Sequence, residues 1–225
     1  KTSSMVVCVM PARQPGNTTI EAASNGGVHV RGKARFHYLA VFHIEHITPS
    51  SGPTSGGTLL TVIVETGHAS RDGVRCVFDL GVAGMWTMAA APTNRSALTC
   101  MSPRAPGMAG REVAVRIEGE SQPGTAMAPA TYLYTSPIVV YSVQPSMGSV
   151  QGGTVVEVYG SGFEQGHMAC VFGFQSSELT RAEVASSSLL SCMAPAEAEG
   201  DVALEVTGND GADRTHDGHV FRYVR

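Results

Sequence analysis

Cys8-Val9-Met10-Pro11, Cys100-Met101-Ser102-Pro103 and Cys192-Met193-Ala194-Pro195 decide how this chain is built. Each is a Cys-(Val/Met)-x-Pro tetrapeptide, and successive cysteines stand 92 residues apart both times. Self-similarity at a fixed period marks repeated structural units. The residues after the first copy align with those after the third without a gap: Asn17 to Gly27 lies over Asp201 to Gly211, two periods on. After the second copy, Arg111 to Gly119 fits once a small insertion is allowed.

A second signature recurs upstream of the later two copies. Ile47-Thr48-Pro49-Ser50-Ser51-Gly52, ending in Gly56-Gly57-Thr58, matches Val143-Gln144-Pro145-Ser146-Met147-Gly148, ending in Gly152-Gly153-Thr154. Each Gly-Gly-Thr opens an alternating apolar strand, Leu60-Val62-Val64 in one unit and Val155-Glu157-Tyr159 with its neighbours in the other. A Cys-Val-Phe strand follows (Cys76 to Phe78, Cys170 to Phe172), and each unit closes on an aromatic strand: Phe36-His37-Tyr38, Tyr132-Leu133-Tyr134 and Phe221-Arg222-Tyr223. The expected organisation is therefore half a unit over 1–42 and complete units over 43–137 and 138–225. A period near 92 with short strands and frequent turn residues has the size of an immunoglobulin-like sandwich and exceeds the usual solenoid repeats. The fold class is all-β, as tandem immunoglobulin-like sandwiches. Asn25-Gly26 and Asp210-Gly211 tolerate positive φ and are expected to close late hairpins as two-residue turns. Gly119 to Gly124 replaces that turn in the second unit with a longer loop.

Composition agrees. Of 225 residues 43% are hydrophobic and 15% charged, enough to fill cores, and 26 Gly with 12 Pro supply turns. The formal charge is −4, and the 15 Lys and Arg form no run, which argues against nucleic acid as a partner. No apolar stretch approaches the roughly 20 residues that cross a bilayer, so no direct membrane insertion is expected. The chain opens on Lys1-Thr2-Ser3 without Met or signal peptide, and reads as a segment whose targeting and anchoring signals lie elsewhere.

The ordered set Pro-x-x-Gly, Gly-Gly-Thr, a strand, Gly-x-x-Phe, Cys-x-Phe and Cys-x-x-Pro resembles the IPT/TIG domain, an E-set immunoglobulin-like module. Plexins, scatter-factor-type receptors and fibrocystin-like ciliary proteins carry it. The resemblance covers essentially the whole chain. Tyr159 to Phe163 matches the Gly-x-x-Phe element, whereas His68 follows Gly67 in the second unit, so its early core is packed differently. In the resembling surface receptors the Cys of Cys-x-Phe pairs with that of Cys-x-x-Pro. The resemblance thus implies Cys76–Cys100 and Cys170–Cys192, each closing a loop that stabilises by roughly 3 kcal/mol. It leaves Cys8 to a partner upstream of Lys1. Five reduced, buried cysteines are the alternative, and zinc lacks a Cys-x-x-Cys. Family members also include intracellular Rel-type DNA-binding proteins and accessory domains of bacterial carbohydrate-active enzymes, so fold alone does not assign the role.

Asn17-Thr18-Thr19 and Asn94-Arg95-Ser96 are N-glycosylation sequons expected at exposed positions. With the disulfides, they favour an extracellular or cell-surface location. Catalytic chemistry is absent: there is no Gly-x-Ser-x-Gly elbow, P-loop or His-Glu-x-x-His helix. No cofactor and no metal are expected. His43 and His46 lie three apart in a strand and should face opposite sides, as should His216 and His219. Asp210, Asp213 and Asp217 crowd the last hairpin with Asn209. They lack the order of an EF-hand and read as solvated turn residues, with weak Ca²⁺ binding through oxygen ligands as the alternative. Trp86, after Gly84 and near Met85, Met88 and Met101, reads as a core or loop plug, with an interface anchor as the alternative.

The expected function is a non-catalytic extracellular binding and spacer module within a larger adhesion or receptor-like protein, on a ciliary surface in one version. Sandwiches joined only by Tyr134-Thr135-Ser136-Pro137-Ile138 should form a semi-rigid rod. Its partners would be cell-surface proteins and neighbouring domains of the same chain. The alternatives are a purely structural surface fibre, the accessory domains of a carbohydrate-active enzyme, and an intracellular DNA-binding module, which the acidic balance disfavours.

Overall fold

The computed structural model describes residues 7–14, 16–24, 29–38, 43–65, 74–81, 85–93, 96–118, 129–173 and 178–225; they form strands, with no α-helix among them. The first unit contributes an antiparallel hairpin of β1 (Gly16–Ser24) and β2 (His29–Tyr38). The second contributes β3 (Ile44–Thr48), β4 (Ser51–Pro53), β5 (Leu59–Val64), β6 (Arg75–Asp79), β7 (Met85–Ala89), β8 (Ala91–Pro92), β9 (Ala97–Met101), β10 (Arg111–Glu118) and β11 (Ala130–Thr135). The third contributes β12 (Val139–Gln144), β13 (Met147–Ser149), β14 (Val155–Ser161), β15 (Ala169–Phe172), β16 (Thr180–Arg181), β17 (Glu183–Ser186), β18 (Leu189–Met193), β19 (Gly200–Thr207) and β20 (Val220–Val224).

Two sandwiches share one architecture. A four-stranded sheet (β3-β5-β9-β8, then β12-β14-β18-β17) packs on a five-stranded one (β4-β11-β10-β6-β7, then β13-β20-β19-β15-β16). Each sandwich has its own core, and the two cores share no residue. Strand alternation fills them. Leu60, Val62 and Val64 of β5 point inward; in β14 the inward residues are Val156 and Val158, so Val155, Glu157 and Tyr159 form the outward set. The closing aromatics meet edge to face in every unit: Phe36 with Tyr38, Tyr132 with Tyr134, and Phe221 with Tyr223, at centroid distances of 5.0, 5.1 and 5.0 Å.

The two sequence signatures turn out to be one contact. Gly56 and Gly57 take φ of 71° and 91°, and Gly152 and Gly153 take 75° and 80°, which glycine adopts without steric cost. The second glycine of each pair donates its N–H to the Cys-x-x-Pro segment just past its strand, Gly57 to Ser102 O and Gly153 to Ala194 O, both at 2.9 Å. The first lies so close that a Cβ would stand 2.6 Å from Arg104 N in one unit and 2.7 Å from Ala196 N in the other. Gly52 and Gly148 are equally confined, since a Cβ on either would overlap the hydroxyl of Thr58 or Thr154.

Two expectations need correction. Ile44 and Ile47, three apart, are both buried because a β-bulge interrupts β3 between Ile44 and His46. The bulge breaks the alternation on which the opposed placement of His43 and His46 rested; both histidines are exposed. Asp210 and Gly211 do take positive φ, 56° and 83°, but they do not close a two-residue hairpin, because β19 and β20 are joined by residues 208–219. Asn25-Gly26, the loop from Gly119 to Gly124, Gly67-His68 and Gly84 lie outside the described residues.

Candidate functional site

The long β19–β20 connection, residues 208–219, makes contacts outside its own hairpin. Thr207 organises its start: the hydroxyl accepts from Asn209 N (3.4 Å) and Gly211 N (2.9 Å). Asn209 Oδ1 accepts from Asp213 N at 2.9 Å, which fixes the amide orientation. Asn209 Nδ2 then donates twice, to Asp213 Oδ2 at 2.7 Å and to Ser51 O of the preceding sandwich at 3.0 Å. The same Asp213 oxygen accepts from the Thr58 hydroxyl of that sandwich at 2.7 Å. Thr58, Thr207 and Asn209 are buried. Asp213 and Ser51 are half-buried, so these bonds are partly shielded from water and hold one another in a connected network.

Charge crosses the boundary as well. Burial pushes the Tyr132 phenol above its ordinary value, the Thr58 and Ser102 hydroxyls oppose this, and the Asp213 carboxylate of the next sandwich adds to it. Around the linker, Thr54 N donates to Thr135 O at 3.0 Å and Ser136 N to Glu164 Oε1 at 3.2 Å. Ile138 packs on the third core, and Gly208 passes so near that its Cβ would lie 3.2 Å from Ile138 Cδ1. Gly162, at φ 80°, runs against Pro137 O. A cleft of about 160 Å³ beside the linker is lined by Gly52, Ser55, Pro137, Gly208 and Asp213.

The far end of the connection grips the start of its own unit. Asp217 Oδ2 accepts from Val140 N at 2.7 Å, and His219 Nε2 meets Val140 O at 2.9 Å. His216 Nδ1 lies 2.8 Å from the buried Glu205 carboxylate. His216 and His219 thus serve two different contacts within a connection rather than a strand.

The structure joins Cys76 on β6 to Cys100 on β9, and Cys170 on β15 to Cys192 on β18, so each disulfide ties one sheet of its sandwich to the other. All four cysteines are buried. Cys8 is exposed and has no disulfide partner among the described residues. Asn17 is exposed on β1 within the hairpin, its Oδ1 2.7 Å from His37 Nδ1; Asn94 lies outside the described residues. Trp86 lies on β7, the edge of its sheet, paired with Phe78. Met88 packs on the core and Met101 is exposed. Among the described residues no group of His, Cys, Asp and Glu has a metal-binding arrangement.

Asn209 and Asp213 are the functional residues that turn chemistry misread, since Asn-Asp-Gly also starts solvated turns. The signal was the distance from the last alternating residue of β19 to the aromatics of β20, too long for a two-residue turn.

No curated protein matches the chain. Among solved structures, the full extracellular region of plexin A4 is similar in two crystal forms. One aligns at 22% identity over 81% of this chain with a TM-score of 0.42, the other at 15% over 94% with 0.48. The aligned part spans only 18% of either plexin chain. A protein from a complex xyloglucan utilization locus of Bacteroides uniformis aligns at 16% identity over 80% of this chain and 49% of its own, with a TM-score of 0.31. Residues 137–223 match the model of the family described as the IPT/TIG domain. The carboxy-terminal sandwich, whose glycine, threonine, cysteine and aromatic contacts the preceding sandwich repeats, belongs to the IPT/TIG family of immunoglobulin-like domains.

Proposed function

We propose that this chain is a non-catalytic binding and spacer module of a larger extracellular or cell-surface protein. Its domains are half an IPT/TIG unit over 1–42 and complete units over 43–137 and 138–225. The observation that carries the reading is the joint between the complete units. Thr58, Ser51, Asn209 and Asp213 form a part-buried polar contact across it. Two intra-chain bonds brace the linker. A linker alone would leave the angle free; this contact sets it, so binding surfaces on the two sandwiches keep a constant spacing. The inter-sheet disulfides support an oxidising compartment, and Asn17 and Asn94 are the proposed N-glycan acceptors.

The test is a distance distribution between spin labels on Thr131→Cys and Ala185→Cys, both exposed positions, in a Cys8→Ser background. A single narrow peak is expected. A broad distribution like that of a flexible linker would remove the spacer role.

A further inference from the structure

Charge is distributed unevenly along the chain. Residues 1–42 hold Lys1, Arg13, Arg31, Lys33 and Arg35 against Glu21 alone, a formal +4. Residues 43–137 are close to balance at −1, whereas 138–225 hold eleven Asp and Glu against four Arg, a formal −7. The ends of the chain are therefore electrostatic opposites.

Each end also presents its charge on a sheet face. Lys33, Arg35 and His37 are spaced two apart on β2 and so share one side of the hairpin, roughly 7 Å from one to the next. All three are exposed. Their partners across the pair are Glu21, Thr19 and Asn17, also exposed, with Lys33 Nζ 3.0 Å from Glu21. The opposite side carries Ile20, Phe36 and Tyr38, all half-buried. In the third unit, Glu157 of β14 and Glu183 of β17 both pair with Ser191 of β18. Two exposed carboxylates thus flank one small residue on the outer face of the four-stranded sheet, about 10 Å apart by strand spacing. Val155 and Met193, a cross-strand pair 55% and 57% exposed, extend the same face.

We propose that the basic face of the first unit docks on the acidic outer sheet of the third unit of a second copy, in an antiparallel two-fold pair. The two-fold arrangement follows from the charge order. With the chains antiparallel, each basic end meets an acidic end and the contact is made twice in a closed dimer. Exposed ion pairs are individually weak and screened by salt, so duplication matters, and the apolar Val155–Met193 pair adds area that salt does not screen. This association is independent of the spacer reading, since a freely hinged chain can pair this way and a rigid one can fail to.

Asn17 stands opposite His37 on the basic face, so a glycan there and the dimer exclude one another. The experiment is sedimentation velocity on the full 225-residue chain carrying Asn17→Gln, with the chain glycosylated at Asn17 expected to stay monomeric. The expected result is a dimer at low salt, about 25 mM, whose dissociation constant weakens on the order of tenfold by about 300 mM. Lys33→Glu with Arg35→Glu abolishes it, as does Glu157→Lys with Glu183→Lys. Mixing the two reversed variants restores a dimer, because both contacts of the mixed pair are again opposite in sign. That rescue also shows that neither variant has misfolded. Monomers at low salt overturn the proposal. So does association that strengthens with salt and ignores the reversals, which the Phe36–Tyr38 side of the hairpin would produce. Growth beyond the dimer overturns the antiparallel arrangement. Retention on a sulfated polysaccharide that is lost in Lys33→Glu/Arg35→Glu, without dimerisation, assigns the face to a polyanion instead and also overturns it.

Discussion

The Thr58 hydroxyl of one sandwich donates to the Asp213 carboxylate of the next across 2.7 Å. Thr58 follows the Gly-Gly pair whose contacts shape its own unit, and Asp213 stands in a connection that its own hairpin does not need. A residue of the repeat signature thus serves two levels of structure at once: the turn beneath it and the neighbour above it.

Removing the carboxylate tests this double role. Asp213→Ala leaves the Thr58 hydroxyl and one Asn209 N–H without their acceptor, which costs about 1–3 kcal/mol. In urea unfolding the midpoint should fall, and the distance distribution between the sandwiches should broaden. An unchanged distribution would show that the linker alone fixes the angle.

Gly52→Ala is expected to destabilise the second sandwich by roughly 1–3 kcal/mol, because the new Cβ overlaps the Thr58 and Tyr132 hydroxyls. Gly57→Ala has room for its Cβ and suffers only from its φ of 91°. Thermal melts of the two variants separate overlap from backbone strain, with Gly52→Ala the lower.

Tyr134 and Tyr223 occupy equivalent places with different partners. The Tyr134 hydroxyl donates to Pro103 O at 2.9 Å, whereas that of Tyr223 has no partner among the described residues. Tyr134→Phe should cost about 1 kcal/mol and Tyr223→Phe almost nothing at neutral pH. Burial first, then Glu197 and Glu178, push the Tyr223 phenol up to about 12. An unfolded tyrosine ionises near pH 10. Between those values the unfolded chain has released a proton that the folded one keeps, so stability is complete below pH 10 and falls as pH rises toward 12. Urea midpoints measured across that window should decline, and Tyr223→Phe should make the decline shallower.

Each disulfide closes a short loop, with sequence separations of 24 and 22. Replacing Cys170 and Cys192 with Ala should cost about 3 kcal/mol by the loop-entropy argument. The thermal midpoint of the doubly substituted chain checks this, and the second sandwich, with its own core, should keep its transition.

The repeat, the all-β class and the inward residues of β5 were legible because period and alternation are local properties of a strand. The inward register of β14 was harder to read because Val155 and Val156 are both apolar; Val156 is the buried one, as is Leu60 at the matching place of the repeat. The Ile44 bulge was invisible because an extra residue leaves no mark in composition. Asn209 and Asp213 were visible as residues but not as a joint. Their partners, Ser51 and Thr58, are about 155 positions away, and nothing in one sequence without its homologues links positions that far apart.

β4 pairs with β11 in parallel, Ser51 to Leu133 and Pro53 to Thr135, although one lies near the beginning of its unit and the other ends it. β13 and β20 repeat the arrangement, Met147 to Arg222 and Ser149 to Val224. Tension along the chain pulls such a pair in opposite directions along its length. The bonds are then loaded together in shear and must fail together, whereas an antiparallel hairpin pulled at its open end unzips one bond at a time. Each sandwich thus joins a strand near its beginning to its last strand in the shear geometry, the arrangement that resists a pull along the chain better than an unzipping hairpin does.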